Sequence, residues 1–121
     1  MPEIDSLKID VIERFGTPCA VVDLDAVDRN IAHVQALCEA AGRSNRPHIK
    51  THKSPILARR QLDAGAIGIT CQKLGEAEVM ADAGIEDILI ATNIIGAARS
   101  GRLAALQRRL PLKICADNPV S

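Results

Sequence analysis

Aromatic side chains are almost missing from this chain: Phe15 stands alone, with no tryptophan and no tyrosine. A surface that stacks unpaired bases has nothing to be built from. Net charge is missing too, because fifteen basic and fifteen acidic side chains cancel. That balance gives no reason to expect nucleic acid or an anionic membrane as partner. No apolar run approaches the roughly 20 residues that span a bilayer. The acidic start Met1-Pro2-Glu3-Ile4-Asp5 does not read as a secretory signal, so the cytoplasm is the expected location. The four cysteines, Cys19, Cys38, Cys71 and Cys115, form no CxxC pair. They read as buried small hydrophobes in a reducing compartment.

What remains is an ordinary globular composition, 47% apolar and 25% charged over 121 residues. That length supports one domain with a core, and the core must be aliphatic. Five β-like runs recur: Cys19–Leu24, Arg46–Thr51, Ile67–Cys71, Asp87–Ala91 and Leu112–Ala116. Helical segments lie between them. Residues 26–41 carry a stripe of Val27, Ile31, Val34, Leu37 and Cys38, with Asp25 placed to cap it and Gly42 to end it. Ser54 and Pro55 open a second helix, which Gly65 ends. A third spans about 74–83 before Gly84, and a fourth about 97–110, its arginines mostly on the wet side. Residues 6–15 can add a helix ahead of the first strand.

Strand and helix alternate, which predicts an α/β fold with a parallel sheet. The first strand-to-helix turn, Asp23-Leu24-Asp25-Ala26, has no glycine-rich phosphate loop, so a dinucleotide-binding unit is not expected. The remaining architecture is a partial (β/α)8 TIM-type barrel, holding about the first four to five of its units. A complete barrel takes about 250 residues. The end at residues 117–121, just after a strand, therefore reads as a fragment expected to be unstable alone or to associate through raw strand edges.

Arg46-Pro47-His48-Ile49-Lys50-Thr51-His52-Lys53 is the most informative stretch. As a strand it places His48, Lys50 and His52 on one face, roughly 6.5 Å apart in succession. Barrel interiors are usually aliphatic, so three ionisable groups in a row need a reason. One reason is a reactive amine: nearby positive charge and partial burial favour a neutral amine, which attacks an aldehyde to form a Schiff base. Pyridoxal phosphate is the cofactor that exploits this chemistry. The competing reading is a solvated basic patch or a phosphate contact. A shared metal on His48 and His52 is disfavoured, since on a strand they stand roughly 13 Å apart. Thr70 and Gln72 end the third strand, and Asn93 begins the fourth strand-to-helix loop; each can face a ligand there.

Three motifs together carry a resemblance: Thr17-Pro18 with Ala20-Val21-Val22-Asp23-Leu24-Asp25; the run from Arg46 to Lys53; and Cys71-Gln72-Lys73-Leu74-Gly75-Glu76-Ala77-Glu78. They resemble the D-threonine aldolase and D-serine dehydratase-like group, which has the alanine racemase N-terminal fold (pyridoxal-phosphate fold type III). The resemblance implies that residues 1–121 are the N-terminal part of the cofactor-binding barrel, with a C-terminal β-domain absent. It implies that Lys50 forms the internal aldimine with pyridoxal 5'-phosphate; His48 and His52, by strand alternation, and Thr70 and Gln72, at the end of the third strand, are then expected near the cofactor. Lys53 would be a neighbouring charge or a surface residue. The implied activity is a lyase on β-hydroxy-D-amino acids, most simply retro-aldol cleavage to glycine and an aldehyde. A divalent metal (manganese, magnesium or zinc) is implied in the missing domain, and a homodimer for the full-length protein. The fragment alone is expected to be inactive. D-serine dehydration, amino-acid racemisation, a non-catalytic cofactor carrier and an inert truncated product remain as alternatives. Racemases usually carry a KANAYG-like run at the lysine, which Lys50-Thr51-His52-Lys53-Ser54-Pro55 does not match.

Overall fold

The computed structural model describes the backbone of residues 2–119 and the side chains of residues 6–119. The element order is α1 (Pro2–Phe15), α2 (Leu24–Ala40), α3 (Pro55–Asp63), β1 (Ile69–Cys71), α4 (Leu74–Asp82), β2 (Ile88–Ile90), α5 (Ala97–Gln107) and β3 (Leu112–Ile114). The strands form a parallel sheet in the order β1-β2-β3. On the other side of β1 the chain around His48 adds a parallel bridge, His48 to Thr70. The Ile49 amide donates to the Thr70 carbonyl (2.9 Å), the Thr70 amide to the Pro47 carbonyl (2.8 Å) and the Ile67 amide to the Asn45 carbonyl (2.9 Å).

Local chemistry explains the helix ends. Asp23 is extended and its carboxylate accepts from the Ala26 amide, so Asp23 caps α2 and Asp25 occupies the first turn. The cap is thus two residues earlier than the sequence suggested. Gly42, at φ +62, supplies the left-handed turn after α2, as expected. Ser54 Oγ accepts from the Leu57 amide and Pro55 stands at the first turn of α3.

Two strand expectations need correction. Cys19–Leu24 is no strand: residues 19–23 have no ladder partner and Leu24 already begins α2. Its apolar residues Val21 and Val22 are exposed. β-propensity acts only against a neighbouring strand, and none flanks this segment among the described residues. Arg46–Thr51 also fails as a six-residue strand. Pairing ends at Ile49, and residues 50–52 turn, closed by the Lys53 amide donating to the Ile49 carbonyl (2.8 Å). The cysteines differ from expectation as well. Cys71 is buried, and burial pushes its thiol up to about 12, but Cys19 and Cys115 are exposed.

The core lies on one face of the sheet. Ile49, Ile69, Cys71, Ile88 and Ile90 are fully buried there with Ala58, Ala77, Met80, Ile85 and Leu106 from the helices and loops. Helix α4 is tied to α5 by Glu78–Arg102 and to the turn after α5 by Asp82–Arg109, and α2 is tied to α3 by Asp28–Arg60. Two of the arginines read as a wet face, Arg102 and Arg109, therefore pair with carboxylates of α4. Such exposed pairs contribute little each.

The opposite face is polar. At its N-terminal edge Arg46 and Lys113 both bind the Asp87 carboxylate (2.7 and 2.6 Å), which holds that carboxyl down at about 2. Gly68 leaves room for this group: a Cβ there would stand 2.6 Å from the Asp87 carbonyl oxygen and 2.3 Å from Arg46 Nη1. Gly68→Ala is expected to destabilise the chain by about 2 kcal/mol through forced backbone displacement, read as a lower urea midpoint at unchanged slope. A midpoint equal to the parent's would show that this edge yields freely.

Candidate functional site

The site is built at the C-terminal ends of the parallel strands, where ligands bind in open and closed α/β sheets. Residues 48–54 make its first wall. The His48 ring accepts at Nδ1 from the Lys50 amide (3.2 Å), and the His52 ring accepts at Nδ1 from the Ser54 amide (3.0 Å). A ring nitrogen that accepts carries no hydrogen, so in each ring the proton sits on Nε2. His48 Nε2 donates to Gln72 Oε1 (3.2 Å), and His52 Nε2 to Gln61 Oε1 on α3 (3.3 Å). Both histidines are thus neutral and shape the turn.

This arrangement alters the sequence reading in two ways. His48, Lys50 and His52 do not share a face: the strand ends at Ile49, and His52 swings toward α3 while His48 stays beside Thr70 and Gln72. Nor do the rings surround Lys50 with positive charge. Lys50 is exposed, and no carboxylate among the described residues pairs with it. The side chains drawn together are His48, Thr70 and Gln72, next to the turn that carries Lys50. Thr70 is buried and Gln72 half-buried.

Lys53 behaves differently from Lys50. It adopts a left-handed backbone, φ +50, and its ammonium binds Glu76 Oε1 (2.9 Å). The second oxygen of Glu76 accepts from the Gln72 amide (2.8 Å). Burial pushes this carboxyl up, but the Lys53 ammonium and the Gln72 amide outweigh it, and the net result is a lowered value. Glu76 therefore joins the lysine turn to the end of β1. Glu76 lies in the third sequence motif, and its place in the first turn of α4 is the signal for this task, since such a residue can reach back to an amide before the helix. Gln61 carried no signal at all.

A cavity of about 640 Å³ opens beside this wall, lined by Lys53, Gln72, Lys73, Thr92, Asn93 and Arg99 among others. Asn93 therefore does reach a concave surface. Lys50 is not among the lining residues. Thr92 Oγ1 donates to the Gln72 carbonyl (2.9 Å), so Gln72 is held through its amide, its carbonyl and its side chain. No described helix is long and apolar enough to cross a membrane.

Glu76→Gln is expected to lower stability at neutral pH by about 1 kcal/mol, because the new amide presents a donor to Lys53. Glu76 has a depressed value in the fold. Its contribution is thus present above the ordinary glutamate range and lost as pH falls through the depressed one. Urea unfolding of parent and variant should differ at pH 7 and converge in acid; a gap that persists in acid would show that Glu76 acts by packing alone.

No protein-family model matches the sequence. Individual relatives do. The chain is 40% identical over 109 residues to a D-threonine aldolase of Arthrobacter sp., covering 90% of this chain and 29% of that protein. It is 41% identical over 109 residues to a D-threo-3-hydroxyaspartate dehydratase of Delftia sp. strain HT23, again covering 90% and 29%. The crystal structure of D-threonine aldolase from Filomicrobium marinum superposes with a TM-score of 0.81 at 41% identity, over 84% of this chain and 28% of that one. The chain thus spans about 29% of the length of the curated relatives it matches. Over that span it is similar, in sequence and in fold, to the D-threonine aldolase and D-threo-3-hydroxyaspartate dehydratase proteins.

Proposed function

We propose that the complete protein is a pyridoxal-phosphate-dependent lyase acting on β-hydroxy-D-amino acids, of the D-threonine aldolase type, with Lys50 as the lysine that holds the cofactor. One observation carries the choice of lysine: among the described residues Lys50 has no acidic partner, whereas Lys53 is bound to Glu76. A carboxylate contact stabilises an ammonium, and an ammonium has no lone pair with which to attack an aldehyde. Of the two lysines in the motif, Lys50 is therefore the one whose side chain is not already committed to a carboxylate among the described residues. When bound, the cofactor supplies an electron sink for the bond pair released at the substrate's α-carbon.

The residues of this chain would then act as follows. Lys50 Nζ binds the cofactor and yields it to the substrate amine. His48 Nε2, Gln72 and Thr70 line the adjoining face with neutral donors and acceptors, which orient a polar ring without adding charge. His52 is left out of that contact set because its ring is turned to α3. The barrel reading of the fold belongs to the same proposal. So do its continuation into a β-domain, the homodimer and the cytoplasmic location. Among the described residues no group of three or more histidine, cysteine or acidic side chains is gathered for a metal ion. The proposed divalent metal (manganese, magnesium or zinc) is therefore assigned to no residue here.

A dehydratase is the second reading, supported by the 41% identity to the Delftia protein. The two readings predict different products. Incubation of the complete protein with D-threonine is expected to give glycine and an aldehyde; ammonia and a 2-oxo acid would select the dehydratase. Borohydride trapping of added pyridoxal phosphate is expected to label Lys50. Lys50→Ala should abolish the label and lower kcat by about a thousandfold or more, while Lys53→Ala should keep the label. Labelling at another lysine in the unaltered protein would defeat the assignment.

A further inference from the structure

We propose that Gln61 is a positioning residue for Lys50: by accepting from His52 Nε2 it leaves His52 Nδ1 free to hold the turn that carries the lysine. The inference rests on the reading of Lys50 given above and adds a residue to it, on a helix that does not otherwise reach the site.

The geometry is a relay of three contacts. Gln61 lies in α3, and its Oε1 is 3.3 Å from His52 Nε2. His52 Nδ1 accepts from the Ser54 amide at 3.0 Å. Ser54 is the N-cap of α3 and the Lys53 amide returns to the Ile49 carbonyl, so residues 50–52 have both ends fixed. The ring ties the end of the turn to the helix, and Gln61 fixes the ring. The parallel pair, His48 with Gln72, secures the start of the same turn through the Lys50 amide.

The choice of an amide is informative. An imidazole can accept from a backbone amide only while one nitrogen is bare. A glutamine oxygen accepts from Nε2 and does not titrate, so it selects the neutral ring with Nδ1 bare. A carboxylate at residue 61 would instead favour the doubly charged-site arrangement of acid beside imidazolium. Nδ1 would then carry a hydrogen aimed at the Ser54 amide, two donors facing each other. Glutamate is nearly the same shape as glutamine, so packing and tautomer control make opposite predictions for it.

The test uses the complete protein and its Gln61→Glu and Gln61→Met variants, each checked for an unaltered circular dichroism spectrum. Nitrogen-15 spectra of the imidazoles read the protonation of His52 directly, without the cofactor. The parent should show His52 with the proton on Nε2 alone. Gln61→Glu should show imidazolium at a pH where the parent ring is neutral, and Gln61→Met a mixture of tautomers. In both variants borohydride trapping of pyridoxal phosphate at Lys50 should slow by about tenfold or more, since small misplacements of a reacting group are costly. A His52 ring unchanged in both variants, or a trapping rate within twofold of the parent despite a changed ring, would overturn the role given to Gln61. Absence of any label at Lys50 in the parent would instead overturn the functional reading, and the positioning role with it, whatever the ring spectra show.

Discussion

Ile49 is held from three directions at once. Its side chain is fully buried in the aliphatic core, its amide donates to Thr70 across the parallel ladder, and its carbonyl accepts from the Lys53 amide. The first two holds make it part of the sheet and the third ends the sheet there. Because the carbonyl is taken by a residue four positions on, the chain must curl, and Lys50 is the first residue of the curl. A slip of one residue would expose Ile49 and turn the polar face inward, a loss of about 2 kcal/mol for the isoleucine alone. The position of the lysine is therefore set by core packing, which is rigid, although the lysine itself is exposed.

The sheet separates two chemistries. In a parallel ladder, residues opposite one another share a face, so His48, Thr70, Leu89 and Lys113 stand in one row. Arg46, Gly68 and Asp87 lie two residues earlier and share that face. The reverse face is isoleucine and cysteine under helices. Buried parallel sheets usually present apolar residues on both sides, and here only one side obeys. The polar side is divided further along the strands. At the N-terminal edge Asp87 takes both Arg46 and Lys113, so the charges there are compensated locally. At the C-terminal edge His48 is paired with the amide Gln72, and Lys50 has no counter-charge among the described residues.

Sequence patterns read these features unevenly. The start of α3 and the stops of α3 and α4 were legible because their signals are local: a serine before a proline, and Gly65 and Gly84 at the turns. The alternation His48-Ile49-Lys50-Thr51-His52 was legible as a strand and was half right. It failed after Ile49 because the histidine rings compete with a neighbouring strand for backbone amides, as short polar side chains do in turns. Period-two patterning contains no information on that competition. The run Ala20-Val21-Val22 misled for the opposite reason: its composition suits a strand, but a strand exists only with a partner beside it. Lys50 and Gln72 were legible from a motif. Gln61 was not, because its relation to His52 is a contact between a helix and the turn before it, with no spacing rule to announce it.

The contrast between Lys50 and Lys53 shows how adjacent residues of one type can be given different chemistry. Both sit on the same short turn, three positions apart, and a composition count treats them alike. Glu76 approaches from the first turn of α4, where the helix also favours negative charge, and meets Lys53. The same carboxylate accepts the Gln72 amide through its second oxygen, so Glu76 joins Lys53 to the end of β1. A turn whose charges were all paired would be a stable structural corner and nothing more. A turn with one paired lysine and one lysine that has no acidic partner among the described residues, set beside His48, Thr70 and Gln72, keeps its shape through the first and leaves the side chain of the second uncommitted.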